Sequence, residues 1–203
     1  MDMIPLLGAA LGAMAGNYAA ETMKGAPVDD LMTMTKPRQR RWAKAIAGQR
    51  AQELLGNANV RAFLRVIRRG ETGNENDPAQ YRRRQSKNQV YFDAPPWVHP
   101  RSIAPGGATT AAGAYQLKDG TWKDRAEDMG LKDFSPLSQD LAAVGCIAFR
   151  GALPAVLRGD TRAAYALLVD EWTSLPGAKE NKLLTPEKAD FIFAKWGGRA
   201  TGK

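Results

Sequence analysis

Glu71 is the residue whose type and placement point most directly to chemistry. It lies eleven residues after Val60, in the segment that also carries Phe63, Leu64 and Ile67. At about 100° per residue, that step returns to within about 20° of its starting direction. A helix persisting from Val60 to Glu71 therefore aims this carboxylate along its own apolar stripe. Burial there and the negative end of the helix dipole both disfavour the charged form, so both raise the pKa, as a general acid needs. Arg68, Arg69 and Arg82 are near enough in sequence to oppose that shift. The competing reading is a frayed, solvated Glu in the turn Gly70-Glu71-Thr72-Gly73. Glu75 and Asp77 are the nearest candidates for a second carboxylate.

Other groups are less specific. Gly113-Ala114-Tyr115-Gln116 follows a run of small residues, where a glycine lets backbone approach a ligand and Tyr and Gln offer a stacking face and an amide. A tight turn explains the same residues. Trp172, before Ser174-Leu175-Pro176-Gly177, is either core or a platform for a sugar ring. The single cysteine, Cys146, excludes an intramolecular disulfide and reads as packing, and a lone His99 argues against a His-rich metal centre. No cofactor is expected.

The elements that must position these residues follow from periodicity and caps. Val60, Phe63, Leu64 and Ile67 predict a helix capped by Asn57 or Asn59. Residues 70–105 are polar and proline-bearing and read as loops, with a short hairpin around Val90-Tyr91-Phe92. Asp119 is expected to cap a helix to Met129 with Gly130 as its stop, and Ser135-Pro136 opens one through Leu137, Leu141, Val144 and Phe149. Further helices are expected over Thr161–Trp172 and from Thr185-Pro186-Glu187 to Gly197. The fold class is α+β and mainly helical, with one small β/loop segment, over residues 57–203.

Two appendages precede that domain. Residues 1–35 hold the uncharged run Met3–Ala20, 18 residues with Gly8, Gly12 and Gly16 at every fourth position, and a Pro-containing linker. The run is at the lower limit for spanning a bilayer, and its glycine ridge suits close helix packing, so a membrane or assembly anchor is expected. A flexible Gly/Ala arm is the alternative. No basic residue precedes the run, so no cleavable signal peptide is evident. Residues 36–56 read as a basic helix. The net charge is +8, yet Lys36–Arg101 alone has 15 basic and 5 acidic residues. Nucleic acid, anionic lipid headgroups or acidic polymers of a bacterial envelope would suit such a zone.

Taken in order, the motifs resemble the lambda-type phage endolysins. They are Ala62-Phe63-Leu64, Glu71, His99-Pro100-Arg101, Thr110 and Gly113-Ala114-Tyr115-Gln116-Leu117, then Gly130-Leu131-Lys132-Asp133-Phe134-Ser135-Pro136 with Ser138-Gln139-Asp140. Arg150-Gly151-Ala152-Leu153-Pro154, Arg158-Gly159-Asp160 and Trp172-Thr173-Ser174-Leu175-Pro176-Gly177 continue the match over roughly residues 58–197. The resemblance implies a lysozyme-like fold and cleavage of peptidoglycan glycan strands by lytic transglycosylation. It puts Glu71 at the family's catalytic position, Tyr115 and Gln116 at a cleft-lining pair, and Thr110, Gly113 and Trp172 beside the substrate. It also implies a phage-encoded protein, virion-associated or at the host inner membrane and periplasm, acting in wall penetration or host lysis. The first 56 residues have no counterpart in the family. After Gly177 the chain reads Ala178-Lys179-Glu180-Asn181-Lys182, without the aromatic the family can place in its cleft.

Two other functions remain open at this point. One is a hydrolytic lysozyme in which Glu75 or Asp77 positions water. The other is a basic virion protein holding nucleic acid through Arg38, Arg40, Arg41, Arg82, Arg83, Arg84 and Lys87, with steep salt dependence. The anchor expectation has its own test. Deleting residues 1–35 should abolish flotation with liposomes while cleavage of purified peptidoglycan stays nearly unchanged. A full-length chain that floats with neither anionic nor neutral liposomes has an assembly arm there instead.

Overall fold

The structure of the protein, a computed structural model, describes residues 51–179 and 184–201. The run Met3–Ala20, the linker and the basic helix as far as residue 50 lie outside the described residues. Residues 51–56 are helical, and Leu54 is buried in the core. Among the described residues no helix is long and apolar enough to cross a membrane.

Helix α1 (Ala58–Thr72) begins at Asn57, whose extended backbone leaves its carboxamide oxygen free to accept from the amides of Asn59 (2.9 Å) and Val60 (3.2 Å). Asn59 works elsewhere, donating to the Leu157 carbonyl and accepting from the Arg199 amide. The helix persists through Glu71 and stops at Gly73, whose φ of 77° is the left-handed cap that a side chain would strain. Its stripe of Val60, Phe63, Leu64 and Ile67 is buried, and Phe63 packs on Tyr165 and Phe193 with ring centroids 5.6 Å and 6.4 Å away.

Helices α2 (Asp119–Met129), α3 (Pro136–Phe149), α4 (Leu153–Arg158), α5 (Thr161–Leu168) and α6 (Pro186–Lys195) complete the helical body. α1 packs against α6, α4 and α3, so it is the central element of that body. The caps at Ser135 and Thr185 form as expected, each hydroxyl accepting from an amide three residues on. Asp119 is a correction: it is the first residue inside α2, the cap position is Lys118, and the Asp119 amide is taken by the Thr110 hydroxyl (3.0 Å). Its carboxylate faces Arg101 instead (3.5 Å). The expected helix to Trp172 ends at Leu168, and Glu171 just beyond pairs with Arg150 (2.8 Å). The short α4 was not anticipated. Its stop at Gly159 is a close approach, because a Cβ there would strike the Arg199 carbonyl.

Between α1 and α2 the chain is irregular. A 3₁₀ turn (Pro78–Arg82) leads to β1 (Arg83–Arg84), which pairs antiparallel with β2 (Val90–Tyr91), Arg83 opposite Tyr91. The hairpin is real but only two residues long on each side, so side chains must satisfy much of the backbone here. Gln139 of α3, fully buried, joins this segment to the helical body. Its amide donates to the carbonyls of Tyr81 (2.9 Å) and Phe134 (2.8 Å), and its oxygen accepts from the Ala114 amide (2.9 Å). His99 is likewise buried, edge-on to Phe134, and burial lowers its pKa, so it is a neutral structural residue. Cys146 is buried in α3, where burial pushes its thiol well above the usual range.

Replacing Gln139 by Leu keeps the volume but strands three buried backbone groups. At about 1–3 kcal/mol for each unmet group, the variant should lose roughly 3 kcal/mol or more of stability. Urea unfolding followed by circular dichroism measures it. A loss below about 1 kcal/mol would contradict this role.

Candidate active site

The last turn of α1 meets the segment after Trp172 because Gly70 has no side chain. A Cβ at Gly70 would collide with the Ser174 hydroxyl, so this glycine inside a helix leaves the space that the Ser174 side chain occupies. Trp172, buried, sets the approach by donating its indole N–H to the Tyr115 carbonyl (3.0 Å). Two residues on, the Ser174 hydroxyl donates to Oε1 of Glu71 at 2.5 Å, joining positions 103 residues apart. Glu71 and Ser174 line a cleft of about 1200 Å³, with Arg69, Arg83, Leu184 and Phe191 among its walls.

Burial raises the Glu71 pKa from an ordinary 4.5 to about 7, against the hydroxyl and amide of Ser174, which pull it down. Desolvation wins because, among the described residues, no cation is spent on this carboxyl. Arg68 donates to the Tyr81 hydroxyl and the Asp77 carbonyl, and Arg69 pairs with Glu75 (3.2 Å). The frayed, solvated reading of Glu71 does not hold, since the residue is partly buried in an intact last turn.

The other acids behave differently. Burial acts to raise Glu75, but the hydrogen bond and charge of Lys195 (2.9 Å), with the charge of Arg69, outweigh it and hold the pKa below the usual carboxylate value. Asp77 caps the 3₁₀ turn, accepting from Gln80 (2.8 Å) and the Ala79 amide (2.9 Å), and these bonds lower its pKa. Neither is placed as a free partner for Glu71. Among the described residues no cluster of His, Cys, Asp and Glu could hold a metal ion.

Of the residues expected around the substrate, none of Thr110, Gly113, Tyr115, Gln116 and Trp172 lines this cleft. Tyr115 lies away from Glu71: it is 1% exposed and its hydroxyl donates to Asp140 (2.6 Å), so it offers no stacking face in this cleft, and it borders a separate cavity. Trp172, 3% exposed, is equally unavailable. Gly113 adopts φ 80° because a Cβ would strike Gln139, and its amide donates to the Arg83 carbonyl (2.7 Å). Gln116, itself at φ 47°, donates to the Gly113 carbonyl (2.8 Å), and Thr110 holds the start of α2. These residues stand one layer behind the cleft and position Arg83 and Ser174, which do line it. Ser174 and Gly70 were missed as site residues. The glycine inside a helical pattern was the only signal available, since nothing in the periodicity ties residue 174 to 71.

A sequence model of the family described as Endolysin matches residues 61–199. The endolysin of Escherichia phage lambda is 44% identical over 101 residues, covering 48% of this chain and 63% of that protein, so the alignment spans less than two thirds of the relative. The endolysin of Escherichia phage P2 is 33% identical over 134 residues, covering 59% of this chain and 81% of that protein. A structure of bacteriophage lambda lysozyme complexed with a chitohexasaccharide superposes with a TM-score of 0.62 at 32% identity, covering 71% of this chain and 97% of that one. A second structure, lysozyme from bacteriophage lambda, gives 0.53 over the same shares.

Ser174 is the group that lowers the Glu71 pKa, so removing it should raise that pKa further. In Ser174→Ala, the Glu71 carboxyl should titrate above about 7, read by ¹³C NMR of labelled glutamate. A titration in the ordinary range near 4.5 would mean that burial is not what sets this group.

Proposed function

The chain belongs to the Endolysin family, and on that premise we propose that it degrades bacterial peptidoglycan, with Glu71 as the single acid and base of a lytic transglycosylation. The bond broken is the β-1,4 link from N-acetylmuramic acid to N-acetylglucosamine. One observation carries the reading: among the described residues the cleft holds one carboxyl poised near neutrality, while Glu75 beside it is tied to Lys195 and Arg69 and hydrogen bonds hold Glu187 below the usual carboxylate value.

The chemistry needs only that group. Protonated Glu71 donates to the glycosidic oxygen as its bond to the anomeric carbon breaks through an oxocarbenium-like transition state. The carboxylate so formed takes the proton of the same sugar's 6-hydroxyl, whose oxygen bonds to the anomeric carbon. The product is a 1,6-anhydro sugar, Glu71 is reprotonated, and no water is consumed. Internal attack makes a water-positioning carboxylate unnecessary, because the nucleophile is already held near the reacting carbon. Ser174 steers the carboxyl and keeps its pKa from climbing further. Phe191, 68% exposed on the cleft wall, offers a flat apolar face where the segment after Gly177 has no aromatic. Glycan strands are the proposed partner, and host lysis or wall penetration the setting.

Glu71→Gln should leave the unfolding curve nearly unchanged and reduce turnover of purified peptidoglycan by at least about 10³-fold, the loss expected when the essential acid is removed. Mass spectrometry of the wild-type digest should find anhydro ends, lighter by one water than hydrolysis products. Reducing ends in their place would turn the assignment to a hydrolase. Because the acid must start protonated, the rate should fall as pH rises through about 7.

A further inference from the structure

The basic zone has a focus that the cleft does not use. Arg61, Arg65 and Arg68 fall at i, i+4 and i+7 of α1 and share one face, where like charges repel. That face opens on a second cavity of about 330 Å³, walled opposite by Tyr81, Asp140 and Trp196. Among the described residues no carboxylate pairs with any of the three guanidinium groups. Arg61 donates to the carbonyls of Leu55 and Gly56, and Arg65 donates to Glu75 and Asn76 while lying 4.4 Å over the Trp196 ring. Arg68, 3% exposed, lines the same cavity, and its Nε finds no acceptor. Asp140 is the one acid in the wall, and its Oδ1 already accepts from the hydroxyls of Tyr81 and Tyr115.

From this geometry we infer that the cavity is a second binding site, one that takes a carboxylate group on a short flexible arm. Guanidinium groups match a carboxylate by geometry as well as charge. A walled hollow at the small end of ligand-site volumes admits an end group, whereas a polyanion backbone needs an open groove. Resting on the function proposed above, the arm is a peptide side chain of the wall glycan, which ends in free carboxylates. Arg65 and Glu71 are about 9 Å apart along the axis of α1 and about 120° apart around it, roughly 12 Å between points about 5 Å from the axis, and four extended peptide residues reach about 13 Å. A strand lying in the cleft can therefore place its peptide in the cavity. The site selects peptide-bearing glycan over bare glycan.

The test uses the full chain carrying Glu71→Gln, so that nothing is turned over, and titration calorimetry with five probes: chitohexaose, peptidoglycan strands with their peptides, the same strands stripped by an amidase, a free stem tetrapeptide, and inorganic phosphate. Peptide-bearing strands should bind at least about tenfold tighter than stripped ones. Adding Arg61→Gln, at an exposed position, and Arg65→Gln, at a half-buried one, should erase that preference and the tetrapeptide signal while chitohexaose affinity and the unfolding curve stay the same. Equal affinity for both strand types, or a preference that survives the double substitution, overturns the inference. So does Arg65-dependent binding of inorganic phosphate with no response to the tetrapeptide, which would assign the cavity to a phosphate-bearing partner. If chitohexaose and stripped strands both fail to bind, the cleft reading falls, while the tetrapeptide still reports on the cavity directly.

Discussion

The buried carboxamide of Gln139 is the constraint on which the irregular half of this fold depends. Two strands of two residues cannot satisfy the backbone between α1 and α2, so its Tyr81 carbonyl and Ala114 amide turn to one side chain of α3, which also holds the Phe134 carbonyl just before that helix. A polar group in a core is costly unless all its partners are met, and here they are. The consequence reaches the site through a short relay. Gln139 fixes Ala114, the next carbonyl receives the Trp172 indole, and Trp172 delivers Ser174 to Glu71. The precision of the cleft thus derives from a hydrogen-bond network in the core rather than from the loops that border it.

Around Glu71 two effects of opposite sign compete, and burial prevails. The neighbourhood is rich in arginine, and any one of these cations aimed at Glu71 would have held it ionised. Each is engaged elsewhere: Arg69 with Glu75, Arg68 with Tyr81 and Asp77, Arg65 with the Glu75 carbonyl. The same distribution holds Glu75 ionised at a pH where Glu71, with its pKa raised to about 7, still keeps much of its proton. Two carboxylates four residues apart are thereby given different protonation states, the separation that acid chemistry at neutral pH requires.

The positive charge is also divided by function. Arg83 stands in the cleft wall, Arg84 ties its loop to Ser102 (2.9 Å), and the α1 arginines face a cavity of their own. A single stripe for a polyanion would need these groups on one open surface, which is not how α1 and the hairpin distribute them. Charge counted along the chain gave the sign of a partner; its chemistry depends on which guanidinium groups converge.

The sequence by itself determined most of the helical body and singled out Glu71 as the candidate acid. Caps such as Asn57, Ser135 and Thr185 act within four residues, and the stripe from Val60 to Glu71 follows from helix geometry alone, so both were legible without a structure. The resemblance in ordered motifs supplied the family, yet the same motifs misled about Tyr115 and Trp172. A motif marks residues that a fold requires without saying whether they touch a ligand or support what does, and an aromatic ring reads alike in either role. Only the tertiary structure decided that these two are buried supports, that Gly70 exists to admit Ser174, and that Lys195 disarms Glu75. Each of those facts is a contact between residues far apart in the chain, set by packing of α1 against segments more than a hundred residues away. Periodicity and propensity are local, and desolvation, which makes Glu71 an acid, is a property of everything packed around it.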